Sequence, residues 1–363
     1  MEEPKKKTGF LNKELAIGGI KMVDIMLMTK HLAVALQSGM TLVEGLEILV
    51  SQAKGKMRSV METVLATVQS GESFSGALGN FPKYFSALYV NMIRSGEAAG
   101  TLVDSLKRLT VNLQKQNELR KKIKSAMVYP MLVFVAVFGL GMSVAIFVLP
   151  KILPLFKTLN VDLPATTRGL IKIAELFEAH GFWIFLGMIF GTTFLVWMMR
   201  REFMKPLLHP IVLKIPGVGE IVKNINLEKF TRTLGILLDA GLTIDQSLKI
   251  VGDSTNNRVY QKAILEMIRE VEAGNSLVTA IEKYPNIFPL IVPKMVAVGE
   301  RTGNLDTVLT YLGDFYEAEV DEATKNLATI VEPLMLIIIG VVVGLVAISI
   351  LGPIYEITGN LRN

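Results

Sequence analysis

Few residues in this chain could do chemistry, and the most specific polar motif among them occurs twice. Gly96-Glu97-x-x-Gly100-x-Leu102 returns as Gly299-Glu300-x-x-Gly303-x-Leu305. A carboxylate set between glycines has two readings. It can sit at a tight link between helices, where the glycines take backbone angles closed to other residues and the Glu accepts from nearby amides. It can also be offered to a partner or to a divalent ion. The first reading is favoured, because a lone carboxylate makes a poor site for a cation that takes about 6–8 oxygens.

Other chemistries are missing their residues. There is no cysteine, which excludes thiol catalysis, disulfide scaffolds and cysteine-ligated metal centres. His31, His180 and His209 are scattered, too little for a histidine metal site. No phosphate loop of the form G-x-x-x-x-G-K-[ST], no H-E-x-x-H and no nucleophile elbow occurs. Gly217-Val-Gly219 lacks the third glycine and preceding strand of a dinucleotide site, and reads as a turn after Pro216. Glu332, beside Pro333, is better explained as a headgroup-exposed carboxylate than as a proton carrier within a membrane. No catalytic residue, metal or cofactor is therefore expected.

The elements around these residues are set by hydropathy. Of 363 residues, 51% are hydrophobic and 20% charged, and mean hydropathy is +0.45. Such a balance excludes a disordered chain and argues against a purely soluble one. Three stretches, 131–149, 182–199 and 334–351, carry no charge at all. About 20 residues of helix at ~1.5 Å per residue cross the ~30 Å hydrocarbon core of a bilayer. The N-terminus has no apolar run of its own, so no cleaved signal peptide is expected. Arg120, Lys121, Lys122 and Lys124 precede the first stretch, and Arg200, Arg201 and Lys205 follow the second. The basic run before the first stretch is a topology signal rather than a nucleic-acid site. The positive-inside rule puts 1–130 and 200–333 in the cytoplasm, with the connection between them and the tail outside.

An internal repeat makes the same point. Thr29, Leu36, Gly39, Thr41, Leu46 and Ile48 recur 202 positions later as Thr231, Leu238, Gly241, Thr243, Leu248 and Ile250. After a one-residue insertion, Gly71, Pro82, Phe85 and Met92 recur as Gly274, Pro285, Phe288 and Met295, and the Gly-Glu motif follows. Pro130 and Pro150 match Pro333 and Pro353. A soluble unit followed by an outgoing span is used twice, and the unpaired second span returns the chain between copies.

Apolar spacing in 42–49 and 102–113 is helical. Thr41…Glu44 and Thr243…Gln246 read as capping boxes. The expected fold is an all-α membrane protein with two homologous cytoplasmic helical bundles and three transmembrane helices. Its parts are a leader (1–28), a first bundle (29–129), a span (130–150), an outer loop (151–181) and a second span (182–200). A linker (201–230), a second bundle (231–332), a third span (333–352) and an outer tail (353–363) follow. Gly187-x-x-x-Gly191 and Gly340-x-x-x-Gly344 allow close approach of another helix, holding the spans together or joining protomers, so a homo-oligomer is expected. Residues 1–129 hold 18 Lys/Arg and 11 Asp/Glu, whereas 200–333 hold 15 and 18. Opposite net charges on one fold predict different surroundings for the two copies, anionic headgroups or an acidic partner for the first and a basic surface for the second.

Together, Phe81-Pro82 and Tyr284-Pro285, the Gly-Glu-x-x-Gly-x-Leu motifs, and Tyr129-Pro130 and Glu332-Pro333 opening spans resemble the type II secretion F family over nearly the whole chain. Leu163-Pro164, followed by an amphipathic 166–177 stretch, is similar to that family as well. The resemblance implies a non-enzymatic platform in the bacterial inner membrane, with 151–181 and the tail in the periplasm. Its partners would be a cytoplasmic hexameric assembly ATPase, pilin or pseudopilin subunits and inner-membrane alignment proteins, in type IV pilus biogenesis or type II secretion. The alternative is a small multi-pass transporter or channel, disfavoured by charge-free spans beside large soluble copies.

Overall fold

The computed structural model describes residues 19–143 and 201–360, with single positions and short runs between 172 and 199. Residues 1–18 of the leader, most of the outer loop 151–181 and much of the second span lie outside these residues. All regular structure described is helical. The chain divides into two compact units, residues up to 121 with 223–318, and residues 122–222 with those from 319 on.

The first unit contains both copies. The first copy consists of α1 (Met22–Gln37), α2 (Leu42–Gln52), α3 (Gly55–Gln69), α4 (Phe74–Gly79), α5 (Ala87–Ala99) and the start of α6 (Leu102–Ser143). After α7 (Lys205–Val212), the second copy repeats the series. It comprises α8 (Val218–Asp239), α9 (Ile244–Ser254), α10 (Arg258–Glu272), α11 (Leu277–Glu282), α12 (Ile291–Thr302) and the start of α13 (Leu305–Asn360). Both copies begin earlier than the repeated residues suggested. Ile25 and Met28 on α1, and Leu227 and Phe230 on α8, are already buried, so the core extends one to two helical turns before 29 and 231.

The repeat is a repeat of the core. Leu32, Leu46, Phe74, Phe85 and Leu106 are buried in the first copy, and their counterparts Leu234, Leu248, Leu277, Phe288 and Leu309 are buried in the second. The aromatic filling differs. Tyr260 and Phe230 pack edge-on against Phe288 at centroid distances of 5.6 and 5.0 Å. Met57 and Met28 hold those two places in the first copy and line a cleft of about 410 Å³ with Asp24, His31 and Met61.

Local signals fix the helix ends. At Thr41 the capping box forms: the Glu44 amide donates to Thr41 Oγ1 at 3.3 Å, and the Thr41 amide donates to Glu44 Oε2 at 2.8 Å. That pairing holds the Glu44 carboxyl below its ordinary value. At Thr243 the expected box does not form, and no amide is capped by its side chain. The Thr243 hydroxyl pairs instead with Asp245, whose carboxyl it lowers. The Asp245 carboxylate, charged and in the first turn near the positive end of the helix dipole, also takes the Gln246 backbone amide that the Thr243 hydroxyl would accept in a box.

The last helix of each copy runs on into an apolar stretch. Helix α6 continues through Pro130 to Ser143, and α13 continues through Pro333 and the 334–351 stretch to Asn360. Among the described residues, one helical stretch, Leu102–Leu140, is long and apolar enough to cross a membrane, and a shorter apolar one spans Phe190–Met199.

Candidate functional site

The Gly-Glu motif forms the corner between the last two helices of each copy. Gly100 and Gly303 close α5 and α12 with φ of 70° and 73°, a left-handed conformation suited to glycine. Gly96 and Gly299 let the following helix come close. A Cβ on Gly96 would lie 2.8 Å from Ser105 Cβ, and one on Gly299 would lie 2.9 Å from Leu305 Cα. The carboxylate between them reaches back to a third helix. Glu97 accepts from the Phe74 and Ser75 amides at 2.6 and 2.9 Å, at the open N-terminus of α4. Glu300 accepts from the Leu277 amide at 2.7 Å, at the N-terminus of α11. Each motif thus ties three helices together, and its carboxylate is engaged within its own bundle.

Helices α5 and α6, held by the first motif, carry the residues that meet the second copy. Ser95 Oγ, one position before Gly96, donates to the Ala240 carbonyl at 3.1 Å. Arg108 on α6 pairs with Asp239 at the end of α8. Lys115 Nζ lies 2.9 Å from Glu317 Oε2 and 3.5 Å from Asp314 Oδ1 on α13. The same two carboxylates receive Arg232 of α8, Nη2 to Glu317 at 3.0 Å and Nη1 to Asp314 at 3.1 Å. Arg232 also donates through Nε to the buried Glu228 at 2.5 Å.

The part of this junction that lies within the second copy is out of water. Arg232, Glu228 and Glu317 are all buried. Burial pushes the Glu228 carboxyl up, against the pull of Arg232. Burial would lower Arg232, yet its hydrogen bonds and charge contacts with Glu228 and Asp314 hold it up. Burial pushes the Lys229 ammonium down, opposed by Glu228 and reinforced by Arg120 of the first copy. Breaking one partner out of this buried cluster, which lies within the second copy, leaves an uncompensated buried charge, and Lys115 and Arg108 of the first copy join its edge through partly exposed ion pairs.

The opposite charges of the copies thus find part of their explanation inside the chain, where bases of the first meet acids of the second. Sequence reasoning missed Arg232, Glu228 and Glu317. The signal was present in α8, where a Glu–Arg pair at i,i+4 interrupts an apolar helical face. Among the described residues, no group of three or more His, Asp or Glu side chains is placed to hold a metal ion.

The remaining motif positions lie on the long helices. Pro130 falls within α6 and Pro333 within α13. Gly340 and Gly344 lie on α13, and an added Cβ at either meets nothing within 4 Å. The same holds at Gly187 and Gly191. These four positions are therefore open to a further helix.

Comparison with known proteins agrees with this architecture. The family model for type II secretion system protein F matches twice, over residues 28–150 and 230–353. Each match takes in one bundle and the apolar stretch after it. The type IV pilus assembly protein PilC of Thermus thermophilus is 35% identical over 344 residues, covering 94% of this chain and 84% of that protein. The type II secretion system protein F of Aeromonas hydrophila is 31% identical over 340 residues, covering 93% and 87%. PilC of Pseudomonas aeruginosa is 29% identical over 344 residues, covering 94% and 91%. With both copies matched and relatives aligned over nearly the full length, the chain belongs to the type II secretion system protein F family.

Proposed function

We propose that this chain is a non-enzymatic inner-membrane platform of type IV pilus assembly or type II secretion. It couples a cytoplasmic hexameric motor ATPase to the extraction of pilin or pseudopilin subunits from the bilayer and their addition to a filament base. Inner-membrane alignment proteins surround it. The observation that carries this reading is the joining of the two copies in one unit by ion pairs from Arg108 and Lys115 to Asp239, Asp314 and Glu317, with each copy ending in a helix that runs into an apolar stretch. Such a unit can receive force in water and deliver it within the membrane.

The same contact supports three crossings. Two domains that touch share one side of a membrane, so a chain leaving after the first copy must return before the second. The 182–200 stretch is the return, and 151–181 and 353–363 lie in the periplasm. A reporter fused after Asn160 should then report the outer side, and fusions after Lys115 or Asn256 the cytoplasm. A cytoplasmic Asn160 overturns this topology.

The functional test is deletion of the gene in its own host. Loss of surface filaments or of secreted protein, with pilin or pseudopilin retained in the membrane, supports the platform. Unchanged filament and secretion output refutes it, and solute flux through the purified chain in vesicles favours a channel.

A further inference from the structure

The two copies share one fold but meet through different faces. The first copy contributes α5 and α6, through Ser95, Arg108 and Lys115; the second contributes α8 and α13, through Asp239, Ala240 and Asp314. Every copy owns both kinds of face, so one of each is left over. On the second copy the spare face is α12–α13, where Val298, Tyr311 and Ala318 stand at the places of Ser95, Arg108 and Lys115. On the first copy it is α1–α6, where Gln37, Ser38 and Val111 stand at the places of Asp239, Ala240 and Asp314.

Both spare faces are exposed and rich in apolar side chains. Val298 is 41% exposed and Tyr311 56%; Val34 and Val111 are 55% and 59% exposed. Their chemistry has changed in step. Where the internal contact sets Arg108 against Asp239, the spare faces offer Tyr311 and Gln37, two hydrogen-bonding groups without charge. Where it sets Lys115 against Asp314, they offer Ala318 and Val111, two apolar groups. Drift on one face alone would leave a charge opposite an uncharged side chain; at these two pairs both members are neutral, and at the pair Lys122–Asp321 the counterparts Lys325 and Glu118 keep complementary charges. A contact within one chain would have covered Val298 and Ser38, yet both are exposed.

We propose that a second copy of this chain docks head-to-tail, with its Val298–Tyr311 face on the Val34–Ser38–Val111 face of the first. The contact repeats between chains the one that joins the copies within a chain. Each chain has one spare face of each kind, so every such contact is heterologous, one α12–α13 face on one α1–α6 face. The outer contact and the inner one do not interchange, because swapping them would set Arg108 or Lys115 opposite an uncharged side chain in place of its carboxylate. The contact follows from the repeat and does not depend on what the chain assembles, so it fails or stands apart from the platform role.

The chain has no cysteine, so introduced pairs report cleanly. Full-length Val298→Cys and Ser38→Cys chains carrying different tags are expressed together, and membranes are treated with a short bis-maleimide. A chain with both Ser95→Cys and Ala240→Cys serves as the intrachain control. The expected product carries both tags at twice the 40.0 kDa chain mass, and neither single variant expressed alone gives it. Only monomer, with the control closing within its chain, overturns the proposal. So does a doubly substituted Val298→Cys/Ser38→Cys chain that closes on itself when mixed with cysteine-free chain, or capture of Val298→Cys in a product of another mass.

Discussion

Glu97 and Glu300 occupy the same place in the two copies but carry different loads. Glu97 accepts two amides at the start of α4, and Glu300 accepts one at the start of α11. Removing a cap strands donors at a helix N-terminus. Glu97→Ala should lower stability by about 1–2 kcal/mol, and Glu97→Gln by less, because an amide oxygen still accepts. Thermal melts of the detergent-solubilised chain, followed by far-UV circular dichroism, measure both. With the carboxylate committed to amides, a chelator should leave the wild-type midpoint unchanged; a chelator-induced drop would mean an ion is held there. The neighbouring glycines are read in the same assay. Gly96→Ala and Gly299→Ala each bring a Cβ within 3 Å of an atom that cannot rotate away, Ser105 Cβ and Leu305 Cα, and each should cost the ~1–3 kcal/mol typical of overpacking.

Among the elements, α8 is the most sensitive to a single charge. Arg232→Met leaves Glu228 and Glu317 without their shared cation and should cost about 3–5 kcal/mol. The Glu228 carboxyl lies above its ordinary 4.5 in the folded protein, chiefly through burial. A carboxyl with a raised folded pKa binds its proton more tightly when folded. Its contribution to stability is therefore full below 4.5 and is lost as pH rises through the folded value. Wild type should lose ground to Glu228→Gln across that window, read as the difference between their melting midpoints from about pH 4 to about pH 8. A difference that is flat with pH would mean Glu228 titrates alike folded and unfolded. On α13, Gly340 and Gly344 face open space. Leucine at both should leave insertion intact and weaken helix association by ~1–2 kcal/mol, seen as reduced oligomer size and filament or secretion output. Unchanged oligomer and output would remove these glycines from any interface.

At the scale of the whole molecule, the charge asymmetry of the copies is partly a lock between them. Lys115 and Arg108 of the first copy reach Glu317, Asp314 and Asp239 of the second. Fragments 22–125 and 220–330, purified separately and mixed, should associate, and Lys115→Glu should abolish the complex. Salt should weaken this association, because the Arg108–Asp239 and Lys115–Asp314 pairs are partly exposed and screening acts over ~8–10 Å through solvent. Size-exclusion chromatography at low and high salt reads this out. Fragments that ignore each other at both salts would mean the contact needs the membrane helices to form.

The sequence by itself determined the repeat, the helical bundles and the apolar stretches, because hydropathy and turn chemistry act over a few residues. Gly39 and Gly241 close helices in both copies with positive φ, as their places before the Thr caps indicated. The capping box at Thr41 formed as its spacing required, whereas the one at Thr243 gave way because the Asp245 carboxylate and the Thr243 hydroxyl competed as acceptors for the Gln246 amide. The Gly-Glu motif was legible as a helix corner, but not the target of its carboxylate, which lies 22 to 23 residues away across the bundle. Only the tertiary structure decided which faces of the two copies meet. Lys115 and Glu317 are 202 residues apart and pair through space, and no local pattern distinguishes a charge that finds such a partner from one that stays in water. The burial of Arg232 and Glu228 is likewise decided by tertiary packing, where Arg232 reaches Asp314 and Glu317 more than 80 residues on, since a charged pair on one helix face is compatible with solvent until another surface covers it.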